Sequence, residues 1–131
     1  MDSEPLAAAL DAQSLKGRQG LRRILQAGGY SLAGLRAAFQ GEAAFRQVLL
    51  LDLLLIPLAL LLDVSRVERA VLIAVVLLAP IVELLNSAIE ATVDRISLEL
   101  HPLSKRAKDM GSAAQLLTMT LIAVVWAVIL L

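Results

Sequence analysis

Glu83, Asn86, Glu90 and Asp94 interrupt an otherwise apolar run, AVLIAVVLLAPIVELLNSAIEATVD, that begins at Ala70. On a helix, their offsets of 3, 7 and 11 from Glu83 put Asn86, Glu90 and Asp94 at roughly −60°, −20° and +20°, so all four share one stripe. An ionisable group deep in a bilayer costs about 2.5–3.5 kcal/mol or more, so such groups face protein or water and by default mark function. Hydrogen-bonded glue between helices explains a single residue of this kind more readily than an aligned set. Carboxylates on a stripe suit a hard cation such as Mg²⁺, which takes a few carboxylate oxygens and keeps its other positions for water and phosphate. A carboxylate left free beside them can act as general base toward a hydroxyl. Glu42, in GEAAFRQ just ahead of the preceding apolar span, can lie at the depth of Glu90 and is the candidate second metal ligand.

Across a short link lies SKRAKDMGSAA, residues 104–114, where Lys105, Arg106 and Lys108 supply cationic donors and Asp109 sits beside Lys108. Such a cluster also arises from ordinary anchoring at a membrane face. Paired with metal-binding acids, it fits phosphoryl transfer, in which positioned cations offset phosphate charge. No GxxxxGK[ST] loop and no kinase Gly-rich loop occurs, so the familiar soluble phosphate cradles are excluded.

These residues need a membrane scaffold. Hydrophobic residues make up 59% of the 131, with 18% charged and 3% aromatic, and the mean hydropathy is +0.79. Soluble domains hold about 45–50% apolar residues, so a soluble reading is close to excluded. Three stretches reach the ~20 residues that a membrane-crossing helix needs, at 43–62, 70–93 and 108–131. The third carries no charge from Met110 to Leu131; the first holds Arg46, Asp52 and Pro57. The fold class is therefore all-α, with three transmembrane helices. No signal peptide is expected, because the first apolar span starts some forty residues in.

Twelve Lys and Arg balance twelve Asp and Glu. There is no basic excess for nucleic acid, which is not expected as a partner. With no cysteine, disulfides, thiolate nucleophiles and CxxC metal sites are also excluded. Ten of the twelve cations lie before or at the start of the first span or between Arg95 and Lys108, and only Arg66 and Arg69 lie between spans one and two. The positive-inside bias makes the N-terminus and the 94–107 loop cytoplasmic. Within 21–40, Leu21, Ile24, Leu25, Gly28, Leu32, Leu35 and Phe39 recur at steps of three and four. That pattern predicts an amphipathic helix lying in the membrane interface. Residues 1–20 read as a frayed or weakly helical extension to a membrane domain at 21–131.

At AGGYSLAGLRAAF, EAAFRQ, IVELLNSAIEATVDRI and LSKRAKDMGSAA the sequence resembles the small integral-membrane diacylglycerol kinases of bacteria, over about residues 21–131. The resemblance implies a homotrimer of the bacterial inner membrane, with active sites between subunits and ATP-dependent conversion of diacylglycerol to phosphatidic acid among membrane lipids. It implies Glu83 as base on the lipid hydroxyl and Glu42 and Glu90 as ligands of the Mg²⁺ that accompanies ATP. ATP contacts would come from Arg23, Tyr30, Glu42, Glu90, Glu99, His101, Lys108 and Asp109. The lipid site would involve Arg23, Gly28, Ser31, Glu83, Ser112 and Trp126, with Asn86 and Asp94 ordering the acids.

The sequence departs from the family pattern at Gly41 and at Val48, where an acidic residue is expected after the Arg-Gln of EAAFRQ. Asp52, one turn further along, is the candidate to take over that polar role. His101, Tyr30, Arg23 and Trp126 each also fit plainer roles, as a loop residue or as interfacial anchors. Two rival functions remain at this point: a kinase for undecaprenol or another lipid alcohol, and a non-catalytic small membrane oligomer whose acidic stripe lines a pore.

Overall fold

The computed structural model describes residues 4–131, with side chains from Lys16 onward. Four helices, and no strand, occur among the described residues: α1 (Glu4–Gly41), α2 (Ala43–Leu61), α3 (Arg66–Ile96) and α4 (Pro102–Leu130). The all-helical expectation holds, and α2, α3 and α4 are each long and apolar enough to cross a membrane. The chain divides into two compact units, Met1–Ala37 and Ala38–Leu131.

The first unit belongs to α1, which is helical from Glu4, through the stretch expected to be frayed or weakly helical. Residues 1–3 of the expected extension lie outside the described residues. Pro5 falls in the first turn, where its missing N–H removes no helix bond. The LAAALDAQSLK that follows is made largely of good helix formers. From Lys16 to Ala37 every side chain is exposed, the anticipated apolar stripe of Leu21, Ile24, Leu25 and Leu32 included.

In the second unit α3 is central, packing α2 on one flank and α4 on the other. The inward residues follow heptad-like steps: Phe45, Val48, Asp52 and Ala59 on α2, then Gly111, Thr118, Ile122 and Trp126 on α4. Between them α3 buries Leu72, Val75, Val76, Ala79 and Glu83. Large apolar residues on the outer faces, such as Leu53, Leu54, Leu116 and Leu117, are exposed. In lipid such faces lose nothing, and helices associate through close packing and polar contacts instead.

The helix ends fix where the functional residues sit. A single extended residue, Glu42, separates α1 from α2. Arg46 on α2 donates from Nη1 to the carbonyls of Phe39 (2.7 Å) and Gln40 (3.3 Å), satisfying acceptors that the end of α1 leaves open. The α2–α3 link is held by a capping box between Ser65 and Glu68. Arg69 reaches back to the carbonyls of Leu60, Leu62 and Val64. At the other end α3 continues to Ile96 and α4 starts at Pro102, so the expected 94–107 loop is non-helical only from Ser97 to His101. The reason is local: His101 caps α4 by accepting the Leu103 N–H on Nδ1 at 3.1 Å, and Pro102 tolerates the first helical position. At 1.5 Å per residue α3 spans about 46 Å against a hydrocarbon core of ~30 Å, so it overshoots by several turns.

Candidate active site

Among the described residues, Glu83, Asn86 and Asp94 of the acidic stripe each meet a residue of α4, and Glu90 meets Asn86 on its own helix. Glu83, only 5% exposed, is the most buried of the four. Its Oε2 accepts a hydrogen bond from Gln115 Nε2 at 3.0 Å, and the same amide nitrogen donates to the Ala79 carbonyl at 3.1 Å. One turn along, Asn86 Nδ2 donates to Glu90 Oε1 at 3.5 Å. The other end of that amide, Asn86 Oδ1, is buried without a hydrogen-bond partner. It lies over Gly111 of α4, so close that a Cβ on Gly111 would collide with it. Furthest out, Asp94 Oδ1 accepts from Lys108 Nζ at 2.8 Å. The stripe is thus a graded polar seam, buried and amide-held at Glu83 and half-exposed and ion-paired at Asp94.

Beyond Asp94 the seam opens into a cavity of about 750 Å³ around the α3–α4 link. Asp94, Glu99, His101, Lys105, Lys108 and Asp109 line it, together with Val93, Leu98, Leu100 and Pro102. A space of that volume, apolar with convergent charged groups, is the size of a small-molecule site. Lys105 pairs with Asp109 at 2.5 Å on the exposed side of α4. Four of the residues expected to touch ATP therefore meet in one cavity: Glu99, His101, Lys108 and Asp109.

A family model for prokaryotic diacylglycerol kinase matches residues 29–130. The chain belongs to that family. It is 73% identical to a diacylglycerol kinase of Pseudomonas aeruginosa over 116 residues, covering 88% of this chain and 94% of the relative. Against a diacylglycerol kinase of Escherichia coli K12 the identity is 53% over 111 residues, with 85% and 91% covered. The corresponding protein of Haemophilus influenzae is 45% identical over 111 residues, with 85% and 94% covered. Family membership and three span-length helices together make this a multi-pass membrane protein.

For a metal, the donors are carboxylate and amide oxygens apart from the single imidazole of His101. Among the described residues no three His, Asp or Glu side chains are arranged so that they could hold a metal ion between them, so the stripe is not a preformed multidentate cage. Mg²⁺ does not need one, because it is commonly held by one or two carboxylates while phosphates and water complete the shell. Glu42 and Glu90 are both half-buried. Glu90 is steadied on one oxygen by Asn86, and the buried Asn86 Oδ1 beside it is unpaired. Carboxylate and amide oxygens of this kind are the chemistry that Mg²⁺ takes.

The remaining expected residues are spread more widely. Arg23, Gly28, Tyr30 and Ser31 lie on α1 in the first unit, all exposed; the Ser31 hydroxyl donates to its own helix at Ala27. Ser112 is exposed on α4. Trp126 is buried against α3, and its indole Nε1 donates to the Leu72 carbonyl at 3.3 Å, about 16 Å along α3 from Glu83. Asp52 is buried on the face of α2 that packs against α3, with Oδ1 lacking a partner. Two residues of the seam have no counterpart in the sequence reading, Gln115 and Gly111. A glutamine inside an uncharged span is the one signal that pointed to the first, since an amide there needs partners.

Proposed function

We propose that this protein is a diacylglycerol kinase that passes the γ-phosphoryl group of ATP directly to the lipid hydroxyl at the cytoplasmic face of the bacterial inner membrane. The observation that carries the reading is a carboxylate, Glu83, buried in a span and oriented by an amide, at the inner end of a seam that leads to a nucleotide-sized cavity lined by charged side chains, Lys105 and Lys108 among them. Family membership supplies the lipid substrate, since the relatives are named for diacylglycerol.

In this mechanism diacylglycerol enters sideways from the bilayer, with its apolar chains against the exposed leucines and its hydroxyl at Glu83. Glu83 takes the hydroxyl proton as that oxygen attacks the γ-phosphorus. The bond from the γ-phosphorus to its bridging oxygen breaks, and ADP leaves with the electron pair. Lys108, released from Asp94, meets the phosphates, and Glu99, His101 and Asp109 line the rest of the cavity. Glu42 and Glu90 would hold Mg²⁺, which when bound supplies charge neutralisation on the phosphates. Asn86 keeps Glu90 in place. Direct transfer from ATP to the lipid hydroxyl needs no phosphoenzyme. The buried position of Glu83 keeps bulk water from competing as acceptor. The active unit is a homotrimer, in which the outer faces of the second unit meet neighbouring copies and complete the site.

The test is a kinase assay on purified protein in mixed micelles with labelled ATP, offering diacylglycerol and undecaprenol in parallel. Expected is Mg²⁺-dependent phosphatidate formation that strongly exceeds undecaprenyl phosphate formation, and its loss by at least 100-fold in Glu83→Gln with nucleotide binding intact. Preference for undecaprenol refutes the substrate, and substantial turnover by Glu83→Gln refutes the base.

A further inference from the structure

We infer that Gln115 is a positioning residue for the proton-accepting carboxylate, clamping one oxygen of Glu83 so that the other is the one offered to the substrate hydroxyl. The inference rests on the proposed phosphotransfer role of Glu83. Three features of the structure lead to it. First, the Gln115 amide nitrogen has two acceptors on α3, Glu83 Oε2 at 3.0 Å and the Ala79 carbonyl at 3.1 Å. Both are oxygens without a proton to give, so the amide can only present its nitrogen, and its orientation is fixed by the backbone as well as by the carboxylate. Ala79 lies one turn before Glu83, which makes the clamp a bracket tied to the same helix that carries the base.

Second, the arrangement sacrifices stability. Gln115 Oε1 is buried with no partner, which leaves an acceptor desolvated without compensation. A methionine or leucine would fill the position without that cost, in a span that carries no charge from Met110 onward. Third, the bond is asymmetric. Glu83 Oε2 is engaged, whereas no described residue donates to Oε1. A carboxylate with one oxygen held by a charge-assisted bond keeps a single orientation and a single reactive oxygen. The neighbouring hydroxyl on α4 does not compete for it, because Thr118 donates to its own helix at Ala114.

Gln115→Met keeps the length and packing of the side chain and removes the donor. Gln115→Glu keeps the shape and sets a carboxyl against a carboxylate. Both are assayed beside the wild-type protein for kcat and KM toward ATP and for thermal unfolding of the assembled protein in detergent. Expected for Gln115→Met is a kcat at least tenfold lower, KM for ATP within twofold, and an unfolding midpoint that is unchanged or higher. Gln115→Glu loses at least as much kcat. A kcat within twofold of wild type for Gln115→Met overturns the inference, as does a fall in kcat that comes with a lowered midpoint and is absent in Gln115→Glu. Wild-type protein that phosphorylates no diacylglycerol overturns the phosphotransfer reading and this inference with it, whereas active wild type with unaffected variants overturns this inference alone.

Discussion

Gly111→Ala separates stability from activity at the seam. The residue lies inside α4, where alanine is the better helix former by about 0.8–1.0 kcal/mol. On substitution alone, the helix gains. The new Cβ would meet only the Asn86 side chain: its Oδ1 in direct collision, then Cγ at 3.1 Å and Cβ at 3.8 Å. No backbone atom of α3 stands within that reach, so the helices need not move apart and the amide must rotate instead. Holding Asn86 off its rotamer costs about 0.5–1.5 kcal/mol. Its 3.5 Å bond to Glu90 is long and so lies near the low end of the usual ~0.5–1.5 kcal/mol. Set against the helix gain, the net change in stability is within about 1 kcal/mol of zero. Glu90, however, loses the donor that steadies it, and with it the orientation proposed for holding the metal–nucleotide. At about 1.4 kcal/mol per tenfold in rate, losing a bond worth ~0.5–1.5 kcal/mol should lower kcat/KM for Mg-ATP by about two- to tenfold. Unfolding in detergent and steady-state kinetics on the same preparation measure the two sides. Wild-type kcat/KM would refute the reasoning; so would destabilisation beyond about 3 kcal/mol, which would mean that the helices and not the amide take up the clash.

Asp52→Leu should stabilise the fold, by about 1–3 kcal/mol, because it replaces a 5% exposed carboxyl whose Oδ1 has no partner with an apolar group of similar size. Reversible unfolding in detergent checks it, and a loss of stability would show that Asp52 does hold the polar role suggested by its place one turn beyond Val48. Trp126→Phe should cost about 0.5–1.5 kcal/mol, the worth of the indole bond to Leu72, and leave the KM for diacylglycerol within twofold. A marked rise in that KM with stability intact would place Trp126 in the lipid site.

The spans and the acidic stripe were legible because each is periodic. Apolar length marks a membrane helix, and four polar residues at 3.6-residue phase mark a face, whatever that face meets. What it meets depends on register between helices, and register is fixed by the link that joins them. The 94–107 stretch is polar and cationic, so composition alone reads it as loop; His101 and Pro102 instead start α4 early and shorten the link to Ser97–His101. In an antiparallel pair, residues equidistant from the middle of the link lie level. Centred on Glu99, that rule pairs Glu83 with Gln115 and Leu72 with Trp126, which are two of the hydrogen bonds that tie α3 to α4 in the interior. Centred on a 94–107 loop, it would set Glu83 opposite Thr118, whose hydroxyl is committed to its own helix, and the clamp on the base would be missed. A single cap therefore decides which side chain meets Glu83. The same short link gathers Glu99, His101, Lys108 and Asp109 around one cavity. A longer, looser loop would have left these four without a common frame, so the cap at His101 bears on the nucleotide side of the proposed site as directly as on the base.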